Sequence, residues 1–182
     1  MKPLTPLVSR ILSSFRKKNQ RRLRKLNDEV LRLAVLDFSP ASFNLAVYSY
    51  ILSKVVSKPR YLRDEYKSCM QNIEQALGGL ASRMDNASEE ELEELFTALE
   101  HSIACLEERD PRFVVDLITK GKLKMAATMY AQGISLGIAA ETTGLDKQEI
   151  LDYAGETMMF DRLKDEVGVH ERMKAARKLL SA

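Results

Sequence analysis

From Phe43 to Val56 the chain reads FNLAVYSYILSKVV, with apolar or aromatic residues on almost every side of a helix. A helix without a solvated stripe belongs at the centre of a core. Ser39 followed by Pro40 supplies an N-cap and a first-turn proline, and Pro59 closes the element. The surrounding composition says what wraps it. Leu, Ala, Glu, Lys and Arg are abundant, Trp is absent and there are 8 Gly and 5 Pro, a balance that favours helices over strands. With 45% hydrophobic and 30% charged residues over 182 positions, the chain reads as a folded, soluble all-α protein.

The flanking segments repeat the pattern. A helix over about residues 61–84 places Tyr66, Cys69, Met70, Ile73, Ala76, Leu77 and Leu80 on one face, weakened by Gly78 and Gly79. Ser88 and Glu91 form a capping box for a helix that buries Leu92, Leu95, Phe96, Leu99, Ile103 and Leu106. Asp110-Pro111 starts a further helix through Phe113, Val114, Leu117 and Ile118, which Gly121 interrupts or ends. Upstream, Leu7, Val8, Ile11, Leu12 and Phe15 are followed by Leu23, Leu26, Val30 and Leu33, predicting one long basic amphipathic helix within residues 1–38. Asn19 and Arg22 fall on its stripe, either as a register-setting polar step of a coiled-coil dimer or as a bend or end.

Charge is unevenly distributed although the net value is only +2. Nine of the 28 basic residues (Lys2, Arg10, Arg16, Lys17, Lys18, Arg21, Arg22, Arg24 and Lys25) precede the first acid, Asp28, so the remainder carries 19 basic against 26 acidic residues. Such a segment suits a polyanion or the acidic body of a second copy, and equally a solvated helix face. Its amphipathic, arginine-rich and acid-free character also fits a transit peptide.

Residues 122–155 read as helix, turn, helix, turn, helix. Ala140, Gly144, Leu145, Ile150 and Tyr153 stand where a helix-turn-helix needs a small crossing residue, a left-handed turn and apolar locks, and Asp146 caps the last helix. The stretch Gln132 to Ala154, QGISLGIAAETTGLDKQEILDYA, resembles the helix-turn-helix of small prokaryotic antitoxins and DNA-binding regulators. Gly133, Ser135, Leu136, Gly137, Ala139, Ala140, Glu141, Gly144, Leu145, Glu149 and Leu151 carry the likeness, and Asp146 departs from the usual Ser or Thr. The resemblance implies that the motif binds DNA and that the following tail contacts a partner. Lys147 and Gln148 are then the base-edge residues, and paired half-sites imply a homodimer. Between Gly133 and Phe160 five acids face the single base Lys147, so phosphate contacts must come from Lys120, Lys122 and Lys124 or from the N-terminal cations Arg16 to Lys25. A helical adaptor that docks protein through the same motif, and RNA binding through the basic N-terminal helix, are the competing readings.

In the tail, 156–182, Val169, Met173, Ala176 and Leu180 form a narrow apolar stripe that either docks a partner or folds back on residues 39–120. Catalytic signals are sparse. With only His101 and His170 there is no three-imidazole metal site, and no phosphate-binding or dinucleotide glycine loop occurs, so a non-enzymatic chain without metal or cofactor is expected. His101 and Cys105 are spaced for a thiol–imidazole pair, yet the sequence context suits an inert core cysteine. Two cysteines are too few for a disulfide framework and suit a reducing, cytoplasmic setting, and no apolar run is long enough to span a membrane.

Overall fold

The computed structural model describes residues 3–36, 39–110, 117–162, 173–174 and 177, all of whose regular elements are helical. They are α1 (Thr5–Arg16), α2 (Gln20–Leu36), α3 (Pro40–Val56), α4 (Lys67–Arg83), α5 (Glu89–Glu108), α6 (Leu117–Ala131), α7 (Leu136–Thr143), α8 (Lys147–Glu156) and α9 (Met159–Arg162), with short 3-10 turns at Pro59–Leu62 and Asp64–Tyr66. The all-α class is therefore as expected.

Helix α3 is the axle of the bundle. The Ser39 side chain accepts from the Ser42 amide to cap it, and Phe43, Leu45, Ile51, Leu52 and Val55 are buried. Helices α2 and α6 pack against it, α1 bridges α2 and α4, and α5 lies on α4. Tyr48 and Tyr50 stand two residues apart, about 200° around the helix axis, and so point to opposite sides. Tyr48 stacks on Phe96 of α5 and donates to Glu100 at 2.5 Å, whereas Tyr50 faces α6.

The single long N-terminal helix is corrected to a helical hairpin. Lys18 takes a left-handed conformation (φ 52°), and the Asn19 side chain accepts from the Arg22 amide at 3.0 Å, capping α2. Arg10 meets Glu29 at 2.8 Å across this turn, so α1 and α2 run antiparallel. The polar residues on the stripe mark a turn because their side chains satisfy backbone donors that a continuous helix would have satisfied itself. Helix α1 lacks a local cap. Instead Asp85, from the turn before α5, accepts from the amides of Leu4 (2.7 Å) and Thr5 (3.1 Å). Burial raises the Asp85 carboxyl, but the hydrogen bonds from Thr5 and Leu4 outweigh it and hold the group below its ordinary range.

Two further boundaries differ from the sequence expectation. The helix predicted from about Tyr61 begins at Lys67, after the two 3-10 turns that carry buried Tyr61 and Tyr66. Gly121 neither interrupts nor ends a helix, because α6 runs straight through it. A Cβ there would lie 2.7 Å from Ile51 Cγ1 and 2.9 Å from Cδ1, so the glycine admits the close approach of α3 and α6.

Beyond α6 lies a second, smaller core of Ala126, Ala127, Ala139, Ala140, Ile150, Ala154 and Met159. Ser135 caps α7, accepting from the Ile138 amide at 3.2 Å. Gly144 ends α7 in the left-handed region (φ 67°), and Asp146 caps α8 together with Glu149. Cys69 in the first turn of α4 and Cys105 near the end of α5 are joined by a disulfide, with Cα atoms 5.8 Å apart. The thiol–imidazole pairing of His101 and Cys105 is thereby excluded in this state, and the expectation of an inert core cysteine is corrected to a disulfide-bonded one. Helices α4 and α5 are antiparallel neighbours, and the spacing from the turn brings residues 36 apart in sequence level with one another.

Candidate nucleic-acid interface

Cations from three helices converge on the side of α3 that faces away from α5. Around the Tyr50 ring stand Lys54 Nζ, 5.3 Å from its centroid, and Lys124 Nζ from α6, at 4.6 Å. Arg24 of α2 also acts on this ring, as does the Tyr153 hydroxyl of α8. Burial, reinforced by Tyr153, pushes the Tyr50 hydroxyl up to about 12 against the opposing pull of Arg24. One turn further along, Lys58 lies within reach of Lys54, Arg60 and Lys120. Its ammonium is held below the ordinary lysine range by burial, then by Arg60, Lys54 and Lys120, with Asp110 pulling the other way.

This face is Arg24, Lys54 and Lys124 about the part-buried Tyr50, continued by Lys58 and Lys120. Asp28 belongs to its edge, where burial raises its carboxyl against the opposing influence of Arg32 and Lys124. The Tyr50 ring takes the Lys54 and Lys124 ammonium groups against its face, which holds two of these cations in place before an anion arrives. The acid run of α5 lies on the opposite side of α3, where a groove of about 510 Å³ is lined by Glu90, Glu93, Glu94, Thr97, Ala98 and His101. Among the described residues no group of three or more His, Cys, Asp or Glu is placed to hold a metal ion. No described helix is long and apolar enough to cross a membrane.

The residues singled out in the sequence scatter over several surfaces. Lys120 and Lys124 enter the basic face with Arg24, and Lys122 is half-buried in the intervening turn of α6. Arg16 and Lys18 each lie 3.6 Å from Glu74 of α4. Lys17, Arg21, Arg22 and Lys25 are exposed on the hairpin, and Lys25 lines a groove with Arg10, Asp28, Glu29 and Arg32. Lys147 and Gln148 are exposed in the first turn of α8, where the Gln148 amide donates to Asp152 at 2.7 Å. The rest of the outward arc of α8 is Glu149, Asp152, Gly155 and Glu156, an acidic surface. Of the tail stripe, Met173 is exposed, while Val169, Ala176 and Leu180 lie outside the described residues.

Sequence reasoning passed over Lys54 and Lys58 and gave Tyr50 and Tyr153 packing roles alone. The available signal was the repetition of lysine pairs four apart, 54 with 58 and 120 with 124, yet such spacing also suits a solvated helix face, and Lys54 in the last turn of α3 complements the dipole, so the pattern carries no message alone. No family model, curated protein or solved structure matches the chain.

Proposed function

We propose that the chain is a non-enzymatic DNA-binding protein of the regulator or antitoxin-like type, gripping phosphates on the face built from α2, α3 and α6. The observation that carries this reading is the clustering of cations on the side of α3 away from the acidic helix α5, with Arg24, Lys54 and Lys124 about Tyr50 and Lys58 beside Lys54, Arg60 and Lys120. Phosphate neutralisation supplies most sequence-independent affinity, and clustered cations suit that task. The capped pair α7 and α8, with its left-handed Gly144, supports a role for α8 beside the duplex. The acid on its outward arc limits its contribution to Lys147 and Gln148 at the helix start.

A second reading, a protein-docking adaptor, is favoured by that same acidic arc, which would complement a basic partner while repelling phosphate. Fluorescence anisotropy with duplex DNA across a salt series separates the two. The DNA reading expects the logarithm of affinity to fall linearly with that of salt. Lys54→Ala and Lys120→Ala should each weaken binding severalfold and reduce the slope by about 0.9. If Lys147→Ala and Gln148→Ala erase a sequence preference, α8 reads bases; if they change nothing, the grip is on the backbone alone. Absence of binding at low salt, or binding indifferent to salt, overturns the DNA reading in favour of the adaptor.

A further inference from the structure

The basic face ends at a carboxylate that lies five residues beyond the disulfide along the chain. Asp110, 1% exposed, pairs with Arg60 Nε at 3.0 Å and also acts on Lys58. It follows α5 directly, five residues after Cys105. Ties that hold this end of α5 to the body include the Cys69–Cys105 bond, the Arg109 guanidinium donating to the Glu65 carbonyl (2.9 Å) and Ser68 Oγ (3.1 Å), the Tyr66 hydroxyl donating to the Arg109 carbonyl (3.5 Å), and the packing of Ile103 and Leu106. The covalent tie clamps the open end of the α4–α5 hairpin, opposite its turn. Cys69 is fully buried whereas Cys105 is part-exposed, so a reductant would meet Cys105 first.

We propose that the Cys69–Cys105 disulfide is a redox control on the basic face: reducing it loosens the end of α5, withdraws Asp110 from Arg60 and Lys58, and strengthens polyanion binding. The inference rests on reading that face as a phosphate-binding surface. The chemistry is thiol–disulfide exchange with a dithiol reductant. One thiolate attacks Cys105 Sγ, the bond to Cys69 breaks, and Cys69 leaves as a thiolate that takes up a proton. The second thiol of the reductant then attacks the mixed disulfide, releasing Cys105 as a thiol and closing the reductant's own disulfide. Two thiols are oxidised and two formed, so protons and electrons balance. With Asp110 withdrawn, Arg60 and Lys58 lose a competing carboxylate, and an arriving phosphate takes its place.

The test uses the full chain, oxidised or treated with dithiothreitol, and a fluorescein-labelled DNA duplex near physiological salt. Reduction should tighten binding about threefold to tenfold, a gain of about 0.7–1.4 kcal/mol once one carboxylate no longer opposes the incoming phosphate. Reoxidation should restore the original affinity, which separates switching from damage. Cys69→Ser with Cys105→Ser should bind like the reduced chain and ignore dithiothreitol, and Asp110→Asn should gain affinity while still oxidised. Acetylation of Lys58, read by mass spectrometry, should accelerate on reduction without DNA, so the switch is visible even where a variant fails to fold. If the oxidised chain binds DNA but reduction alters neither affinity nor Lys58 reactivity, the switch is overturned and the interface stands. If neither form binds the duplex, both fall.

Discussion

Replacing Gly121 by alanine should change sign in its effect on stability according to what occupies position 51. In the native background the new methyl would fall 2.7 Å from Ile51 Cγ1 and 2.9 Å from Cδ1. Ile51 is fully buried and, being β-branched in a helix, has one strongly preferred rotamer. Such overpacking costs about 1–3 kcal/mol. Exchanging glycine for alanine inside a helix returns about 1 kcal/mol, so Gly121→Ala should destabilise by about 0–2 kcal/mol. Ile51→Ala alone should cost about 2–5 kcal/mol through its cavity. It also removes both clashing atoms, and in that background Gly121→Ala should stabilise by about 1 kcal/mol. The two alanine steps therefore differ by about 1–3 kcal/mol, a coupling that only residues in contact show. Urea unfolding followed by circular dichroism, with the denaturant slope unchanged across the four proteins, measures it. An equal stabilisation by Gly121→Ala in both backgrounds would refute the close crossing of α3 and α6.

Other expectations concern the caps and buried polar groups. Because the Asp85 carboxyl sits below its unfolded value, its contribution is complete at neutral pH and fades as pH falls through the lower folded value. Asp85→Asn should cost about 1 kcal/mol at pH 7, and its stability curve should converge on the native one in acid; parallel curves would mean that Asp85 does not cap α1. Asn27→Ala should cost about 1–3 kcal/mol, since Asn27 is buried and donates to the Ala46 carbonyl (2.7 Å) and Ser49 Oγ (3.0 Å), joining α2 to α3. A cost below about 0.5 kcal/mol in thermal or chemical melts would remove that tie. Gly144→Ala should lose about 1 kcal/mol from the left-handed turn, and a neutral result would place the turn in another conformation.

Much of the fold was legible where the signal was local. Ser39, Ser88 and Asp146 cap the helices that follow them because a short polar side chain before an apolar periodic run has few other uses. Asn19 carried the same signal, masked by an apolar stripe that continued in phase on both sides of it; only the tertiary fold shows the chain turning back. Gly121 was illegible for a related reason, because a glycine that ends a helix and one that admits a neighbour look alike in one dimension. The interface was the least legible. Lys124 and Tyr50 are far apart in sequence and meet only because α6 lies against α3. The most basic run in the chain, by contrast, engages acids of its own bundle through Arg10, Arg16 and Lys18.

Helix α6 turns Met125 and Met129 toward the large core and Ala126 and Ala127 toward the small one. Alanine methyls bury little area, so α7, α8 and α9 are held by far less apolar burial than α2 or α4. The protein should accordingly open in stages: amides of α7 to α9 exchange with solvent deuterium earliest, those of α3 survive until global unfolding, and α6 splits lengthwise between them. One helix would then carry two exchange rates, slow on its methionine edge and faster on its alanine edge. The chain could release its C-terminal helices while Lys124 remains anchored beside Tyr50 and Lys120 beside Lys58.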